Sequence, residues 1–349
     1  MNSDSGSPVL VEVRESHGFD IARLDAWLSD RLDGFGRGVR VRQYEGGQSN
    51  PTFLVESATR RVVLRKKPPG VLLPTAHQVE REYRILAALA GSEVPVPDVL
   101  ALCEDESVIG TTFYVMAHVD GRVLSDPRLP GFEPRVRRAL YLSTVAGLAA
   151  IHAVDLEAAG LAGLGPPSGY LERQIRRWTR QYEASRTDDL EAMNALARWL
   201  PEHLPTSGRT ALVHGDYRIG NLVFARDTAR LVGVLDWELA TLGDPFADLA
   251  YLCMGYHHEG PGRPGLIPYP GDASGVPRES ELLEEYCRLA GIGEIPHWRF
   301  YLAFSFFRLA AILQGVYRRG LDGNAASREA LSKRELVRVC AETGWRLGS

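Results

Sequence analysis

Residues 212–249 read LVHGDYRIGNLVFARDTARLVGVLDWELATLGDPFADL. Two apolar runs, Leu222–Ala225 and Leu231–Leu235, flank the turn-forming segment Arg226–Arg230, and this pattern predicts a β-hairpin. The hairpin sets Asn221, at its start, beside Asp236, at its end. An Asn carbonyl oxygen and a carboxylate are hard oxygen donors, suited to Mg²⁺ shared with substrate phosphates. Asp216 lies on the loop after the strand-like Leu212-Val213 and is a candidate to accept a proton from an attacking hydroxyl. One base and two metal ligands on one hairpin are the parts that phosphoryl transfer requires. The plain alternative is a β-hairpin that happens to end in acids, but here residue types, spacing and hairpin coincide.

The composition sets the frame. At 349 residues the chain is long enough for two lobes, each with its own core. An apolar fraction of 45% and a charged fraction of 24% are those of an ordinary globular protein. The net charge of −4 gives no sign of a nucleic-acid or membrane-surface partner. Lysine occurs only at Lys66, Lys67 and Lys333, so arginine supplies nearly all the positive charge. Cys103, Cys253, Cys287 and Cys340 have no C-x-x-C spacing and are expected as buried free thiols of a reducing cytosol. Neither a signal peptide nor a transmembrane helix is expected, which places the chain in the cytoplasm.

Asp216-x-x-x-x-Asn221 followed by Asp236 is the order of the protein-kinase catalytic loop and metal-binding Asp. Gly215 stands where protein kinases carry the Arg that docks a phosphorylated activation loop, and Trp237-Glu238 replace Phe-Gly, which argues against a phosphorylation-gated protein kinase. The string HGDYRIGN…VLDWELATLGDPFADLAYL resembles the aminoglycoside phosphotransferase and choline kinase superfamily of small-molecule kinases. More narrowly, it is similar to the branch found as kinase-like domains fused to acyl-CoA dehydrogenases. The resemblance covers nearly the whole chain. It implies an α+β, two-lobed protein-kinase-like fold, with a small antiparallel-sheet N-lobe over residues 1–118 and a mainly helical C-lobe over 119–349. It also implies ATP and Mg²⁺.

Along the chain, residues 1–16 read as a loose tail and 19–32 as an amphipathic helix. Strands are expected at 39–44, 52–56 and 61–67. Between the first two, Gly46-Gly47-Gln48-Ser49-Asn50-Pro51 is expected as a turn suited to folding over nucleotide phosphates and offering backbone N–H groups, with Gly46, Gly47 and Ser49 as candidates. It is equally an ordinary hairpin turn, and it is not a Walker A loop. The resemblance places the phosphate-holding cation at Arg65, with Lys67 in reserve on the same strand face, and its partner acid at Glu82 of the VERE segment in the helix 76–89. Strands at 99–103 and 112–119 follow. The resemblance assigns adenine reading to backbone groups at Ala117 and Val119, with Met116 on the pocket wall; simple core packing fits the same residues.

Beyond residue 121 the chain turns helical, at 134–153, 170–185 and 190–200. His152 reads as structural. Asp248 falls where the family keeps a buried acid bonded to the catalytic-loop backbone, so Asp248 and His214 are expected to be structural at the site. Residues 256–278 are Gly- and Pro-rich and read as a long loop, a candidate lid. The helix 298–319 places Phe304, Phe307, Arg308, Ala311, Gln314 and Arg318 on one side.

That helix carries Arg299, Arg308, Arg318 and Arg319 and no acid, which points to a neutral or anionic hydroxylated acceptor rather than a polycationic aminoglycoside. A hydroxyacyl-CoA-like thioester is one such candidate. Arg308 and Gln314 are the proposed acceptor contacts, although a buried Arg308 paired with Asp248 fits equally. An antibiotic kinase is the nearest rival function. A nucleotide-binding pseudokinase acting as an interaction module is the rival from another class.

Overall fold

A computed structural model of the chain describes residues 9–45, 50–68, 78–206, 209–258, 265–266, 271, 273–323 and 328–349. By contacts the chain divides into two compact units, residues 1–123 with 221–239, and residues 124–220 with 240–349. Residues 119–123 and the hairpin thus group with the first unit, apart from the rest of 119–349.

In the first unit, strands β1 (Leu10–Val11), β2 (Arg40–Tyr44), β3 (Thr52–Glu56), β4 (Arg61–Lys66), β5 (Val99–Cys103) and β6 (Phe113–Ala117) form one antiparallel sheet in the order β1-β2-β3-β4-β6-β5. Phe53, Leu54 and Val55 of β3, and Val62, Val63 and Leu64 of β4, are buried whichever side they face. The middle of the sheet is therefore covered on both sides, and its strands read as continuous apolar runs rather than alternating ones. Helix α1 (Ile21–Arg31) is capped by Asp20, whose carboxylate accepts the Arg23 N–H. It contributes Leu24 and Leu28 to a core with Phe53, Val55, Val62, Leu64, Phe113 and Val115. Trp27 sets its ring edge-on to Phe113 at 5.0 Å. Each such fully buried side chain contributes about 1.5–3 kcal/mol. Helix α2 (Val79–Leu89) buries Val79, Glu82, Ile85, Leu86 and Leu89, so a glutamate sits in its apolar stripe. A short helix, α3 (Glu106–Ile109), starts at the Asp105 cap.

The first unit is completed by β7 (Arg122–Val123) pairing with β9 (Leu222–Phe224), itself paired with β10 (Leu231–Val234). The expected hairpin is present. The tail is not loose throughout, because Leu10 pairs with Tyr44 and Val11 with Gln43.

The second unit holds α4 (Pro134–His152), α5 (Tyr170–Ser185), α6 (Glu191–Glu202), the strand pair β8 (Ala211–Val213) and β11 (Thr241–Gly243), and helices α7 (Pro245–Cys253), α8 (Glu279–Ala290), α9 (Trp298–Leu321) and α10 (Lys333–Gly348). Pro245 stands at the first turn of α7, where its missing N–H costs nothing, and Asp244 caps the helix through the Phe246 N–H. Helix α9 is apolar on almost every side, with Phe300, Phe304, Phe306 and Phe307 buried, and α5, α6, α7 and α10 pack around it. By length and composition alone α9 passes for a membrane span, against the expectation of none, yet 78% of that apolar window is buried within the protein, as in a core helix.

Candidate active site

In the first unit the hairpin register pairs Val234 with Leu222, and the Leu235 N–H donates to the Asn221 carbonyl at 2.8 Å. These bonds hold the two ends of the hairpin together, so Asn221 and Asp236 adjoin at its mouth. Asp236 takes φ = +67°, a left-handed conformation uncommon for any residue but glycine. The strand ends there, and the next residues wind into a short 3₁₀ turn, Trp237–Leu239.

Arg65 comes from the central strand β4, and its guanidinium joins three acids. Its Nε lies 2.9 Å from Glu82, while Nη2 lies 2.5 Å from Asp236 and 3.5 Å from Glu238. Glu82 is 2% exposed and also accepts the Trp237 N–H at 3.2 Å. Burial alone would favour a neutral Arg65, but Glu82, Asp236 and Glu238 outweigh it and hold the guanidinium firmly charged. Burial pushes the Glu82 carboxyl above its ordinary value, while Arg65 pulls it back. Asn50, itself buried, donates to Glu238 at 3.3 Å. Lys67, the reserve cation, is paired with Glu80. Lys66 turns the other way and is buried over the Phe19 ring at 5.4 Å.

The donor chemistry fits Mg²⁺. Asn221 and Asp236 offer oxygen only, and Asp236 keeps 32% of its side chain exposed. Among the described residues no group of three or more His, Cys, Asp or Glu side chains is arranged to hold a metal ion. A protein-only cage is therefore absent there, and an Asn–Asp pair that leaves most positions to water and phosphate oxygens is what Mg²⁺ prefers.

In the second unit the loop His214-Gly215-Asp216 leaves β8 with Gly215 at φ = +81°, a glycine requirement. Asp248 on α7 is 1% exposed and accepts the His214 N–H at 2.5 Å and the Gly215 N–H at 2.9 Å. Burial would raise the Asp248 carboxyl, but the His152 ring beside it, then His214 and the Gly215 N–H, outweigh it and hold it below the usual carboxylate range. The Asp216 N–H donates to His214 Nδ1 at 3.2 Å, which fixes the buried imidazole as an acceptor at that nitrogen. Arg218 Nε sits 3.3 Å from the Asp216 carboxylate. His152 Nδ1 bonds the Tyr286 hydroxyl at 2.7 Å, a structural role.

Met116 is 8% exposed on β6. The Ala117 N–H is already donated to the Asp98 carbonyl at 2.8 Å, so of that residue's backbone groups the N–H is not available to a base. Val119 is partly buried. Gly46, Gly47 and Ser49 lie outside the described residues, as do 259–264, 267–270 and 272 of the candidate lid.

Two expected acceptor contacts are placed otherwise. Arg308 is 5% exposed and donates from Nη2 to the Gly215 carbonyl, between the rings of Tyr251 and Trp178; it forms no ion pair with Asp248. Gln314, 3% exposed, donates to the Ser185 carbonyl at 2.8 Å and to the Thr187 hydroxyl, closing the end of α5. Arg318 pairs with Asp322. A polar side chain on an apolar helix needs a partner, but helical spacing cannot say which. Glu238, Asn50 and Arg218 were not expected. A carboxylate two residues beyond Asp236 was the one available signal for Glu238.

The phosphotransferase enzyme family model matches residues 40–301. The chain is 46% identical over 343 residues to mouse acyl-CoA dehydrogenase family member 10, covering 97% of this chain and 32% of that protein. It is 42% identical to human acyl-CoA dehydrogenase family member 11, covering 98% of this chain and 45% of that protein. The chain thus spans less than half the length of these relatives. Among solved structures, a protein of Ralstonia eutropha JMP134 described provisionally as an aminoglycoside phosphotransferase superposes with a TM-score of 0.86 at 44% identity, over 95% of this chain and 98% of that one. Aminoglycoside phosphotransferase APH(4)-Ia, solved with AMP-PNP and hygromycin B, shares the fold at a TM-score of 0.59 and 18% identity, over 93% of this chain and 99% of its own. With its Arg65–Glu82 pair, its hairpin acids and its His214-Gly215-Asp216 loop, the chain belongs to the phosphotransferase enzyme family, as a small-molecule kinase of protein-kinase-like fold.

Proposed function

We propose that this kinase moves the γ-phosphoryl group of ATP to a hydroxyl of a neutral or anionic metabolite, with a hydroxyacyl-CoA thioester as the leading acceptor. The observation that carries the phosphoryl-transfer reading is Arg65, a guanidinium locked by the buried Glu82 and joined to the hairpin carboxylate Asp236. Arg65 grips the nucleotide phosphates. Asp216 accepts the proton as the acceptor oxygen attacks, on a loop whose backbone is already held by Asp248. Asn221 and Asp236 would hold Mg²⁺, which when bound neutralises phosphate charge. Nucleotide use is supported by relatives of the same fold solved with AMP-PNP or GDP. The acceptor class is supported by relatives that carry this region within acyl-CoA dehydrogenase family proteins. The arginine count of α9 no longer supports it, since Arg308 and Arg318 have protein partners.

The test is a panel of hydroxyacyl-CoA thioesters, free hydroxy acids and aminoglycosides, incubated with Mg·ATP and read by mass spectrometry for an added phosphoryl group. Phosphorylated hydroxyacyl-CoA is expected. Asp216→Asn should lower turnover by roughly 10²-fold or more while leaving ATP affinity unchanged. Kanamycin-like polycations as best acceptors would overturn the acceptor class. ATP binding without turnover on any acceptor would return the pseudokinase reading.

A further inference from the structure

Three successive peptide N–H groups of the loop before the base are occupied. Those of His214 and Gly215 go to the Asp248 carboxylate, and that of Asp216 goes to His214 Nδ1. The peptide joining Gly215 to Asp216 has one further polar group, the Gly215 carbonyl, and this accepts from Arg308. The peptide plane that carries the Asp216 Cα is thus gripped at both ends, by His214 at its N–H and by Arg308 at its C=O. Asp248 holds the preceding plane.

Arg308 is an unusual choice for such a bond. It is 5% exposed on the core helix α9, and among the described residues it forms no salt bridge. Its charge is met by the faces of Tyr251, 5.2 Å from ring centroid to Cζ, and Trp178, at 5.6 Å, together with the carbonyl dipole. A guanidinium desolvated without a carboxylate is costly and persists where the geometry it enforces is needed. We propose that Arg308 is a positioning residue for phosphoryl transfer. It does not touch the acceptor; it orients the peptide of Asp216 through the Gly215 carbonyl, while Asp248 holds the Gly215 N–H. This rests on Asp216 being the base.

The test uses the full chain with Arg308→Met, which keeps the apolar stem, and Arg308→Lys, which keeps a cationic donor. Turnover is measured with Mg·ATP and a hydroxyacyl-CoA probe, and hydrogen–deuterium exchange is followed over residues 212–220. For Arg308→Met, kcat should fall about 10²-fold, as expected for a misplaced reacting group, with KM for ATP and probe within about twofold of the parent. The loop amides should exchange about tenfold faster, without matching change elsewhere. Arg308→Lys should recover a large part of both. Two results overturn the proposal: unchanged loop exchange with unchanged kcat, or a loss confined to KM for the probe with the loop still protected, which makes Arg308 an acceptor contact. If Arg308→Met does not fold, Arg308→Gln decides, since it drops the charge and is too short to keep the bond to the Gly215 carbonyl. Local deprotection of the loop with lowered kcat supports the proposal, and parent-like values in both overturn it. Exchange needs no acceptor, so a wild type inactive on the hydroxyacyl-CoA probe sinks the acceptor assignment while the loop result still stands or falls alone.

Discussion

Arg65 shows how much one side chain can be asked to do. A guanidinium has five donors in a planar fork, and here the fork meets Glu82, Asp236 and Glu238 at once. A lysine brings the same charge as a single compact point and cannot span three carboxylates. Burial makes the difference large, because Glu82, 2% exposed, relies on Arg65 as the cation that offsets its desolvation, beside the Trp237 N–H and the Tyr114 hydroxyl. Arg65→Lys should therefore leave a folded protein whose kcat/KM for ATP is lowered by roughly 10- to 100-fold, through loss of about 1.4–2.7 kcal/mol of oriented contact. Steady-state kinetics at saturating acceptor would check this, and parent-like kcat/KM would show that charge alone suffices. The pairing with Glu82 was legible only through the family resemblance of the VERE segment. The contact with Glu238 was not, because it depends on Asp236 adopting φ = +67° and turning the chain into a 3₁₀ bend, which no periodicity announces.

At the scale of elements, the longer strands and helices could be read because each carries its own pattern. The hairpin, the apolar runs of β3 and β4 and the bounds of α4 and α5 all follow from residues within the segment. The strands β1, β7 and β11, of two or three residues, could not be read, since so short a run has no period and exists only through its partner. Helices α8 and α10 had ordinary amphipathic patterns and a Gly291 stop at φ = +64°, so their omission was not forced by physics. The β7–β9 pairing shows how a distant partner constrains sequence. At Gly121, just before β7, a Cβ would come within 2.5 Å of the Phe224 carbonyl oxygen and 2.5 Å of a Val223 methyl. Backbone cannot yield as a flexible side chain does. Gly121→Ala should push the two strands apart and destabilise the protein by about 1–3 kcal/mol. Denaturant unfolding would measure it, and a stability within 0.5 kcal/mol of the parent, the range usual for an unremarkable surface change, would mean the chain relaxes freely there.

Over the whole molecule, the two units carry different chemistry. The residues proposed to hold phosphate and metal (Arg65, Asn221, Asp236) belong to the first, and the proposed base with its buried support (Asp216, Asp248) belongs to the second. The second unit's stability is tied to pH through that support. Asp248 holds its carboxyl below the usual range because buried donors favour the charged form over the penalty of burial. In the unfolded chain the same group titrates near its ordinary value, about 4. The folded state thus prefers the ionised acid, and the contribution to stability is complete above about pH 4 and lost as pH falls from there towards the folded value. One proton can steepen the loss by at most about 1.4 kcal/mol per pH unit. Asp248→Asn keeps the shape, removes the titration and turns one acceptor into a donor facing an N–H. It should cost about 1–3 kcal/mol at neutral pH. The gap between parent and variant should then narrow as pH drops below about 4, because only the parent loses the carboxylate. Surface acids held low by arginines, such as Asp126 beside Arg128 and Glu281 beside Arg138, titrate alike in both proteins and cancel in the difference. Urea unfolding by circular dichroism between pH 3 and 7, roughly a unit either side of the carboxylate range and beyond, would give both curves. A gap that stays constant across that range would show that Asp248 does not change its protonation on unfolding, and that the two backbone N–H groups of His214 and Gly215 bond it as readily when neutral.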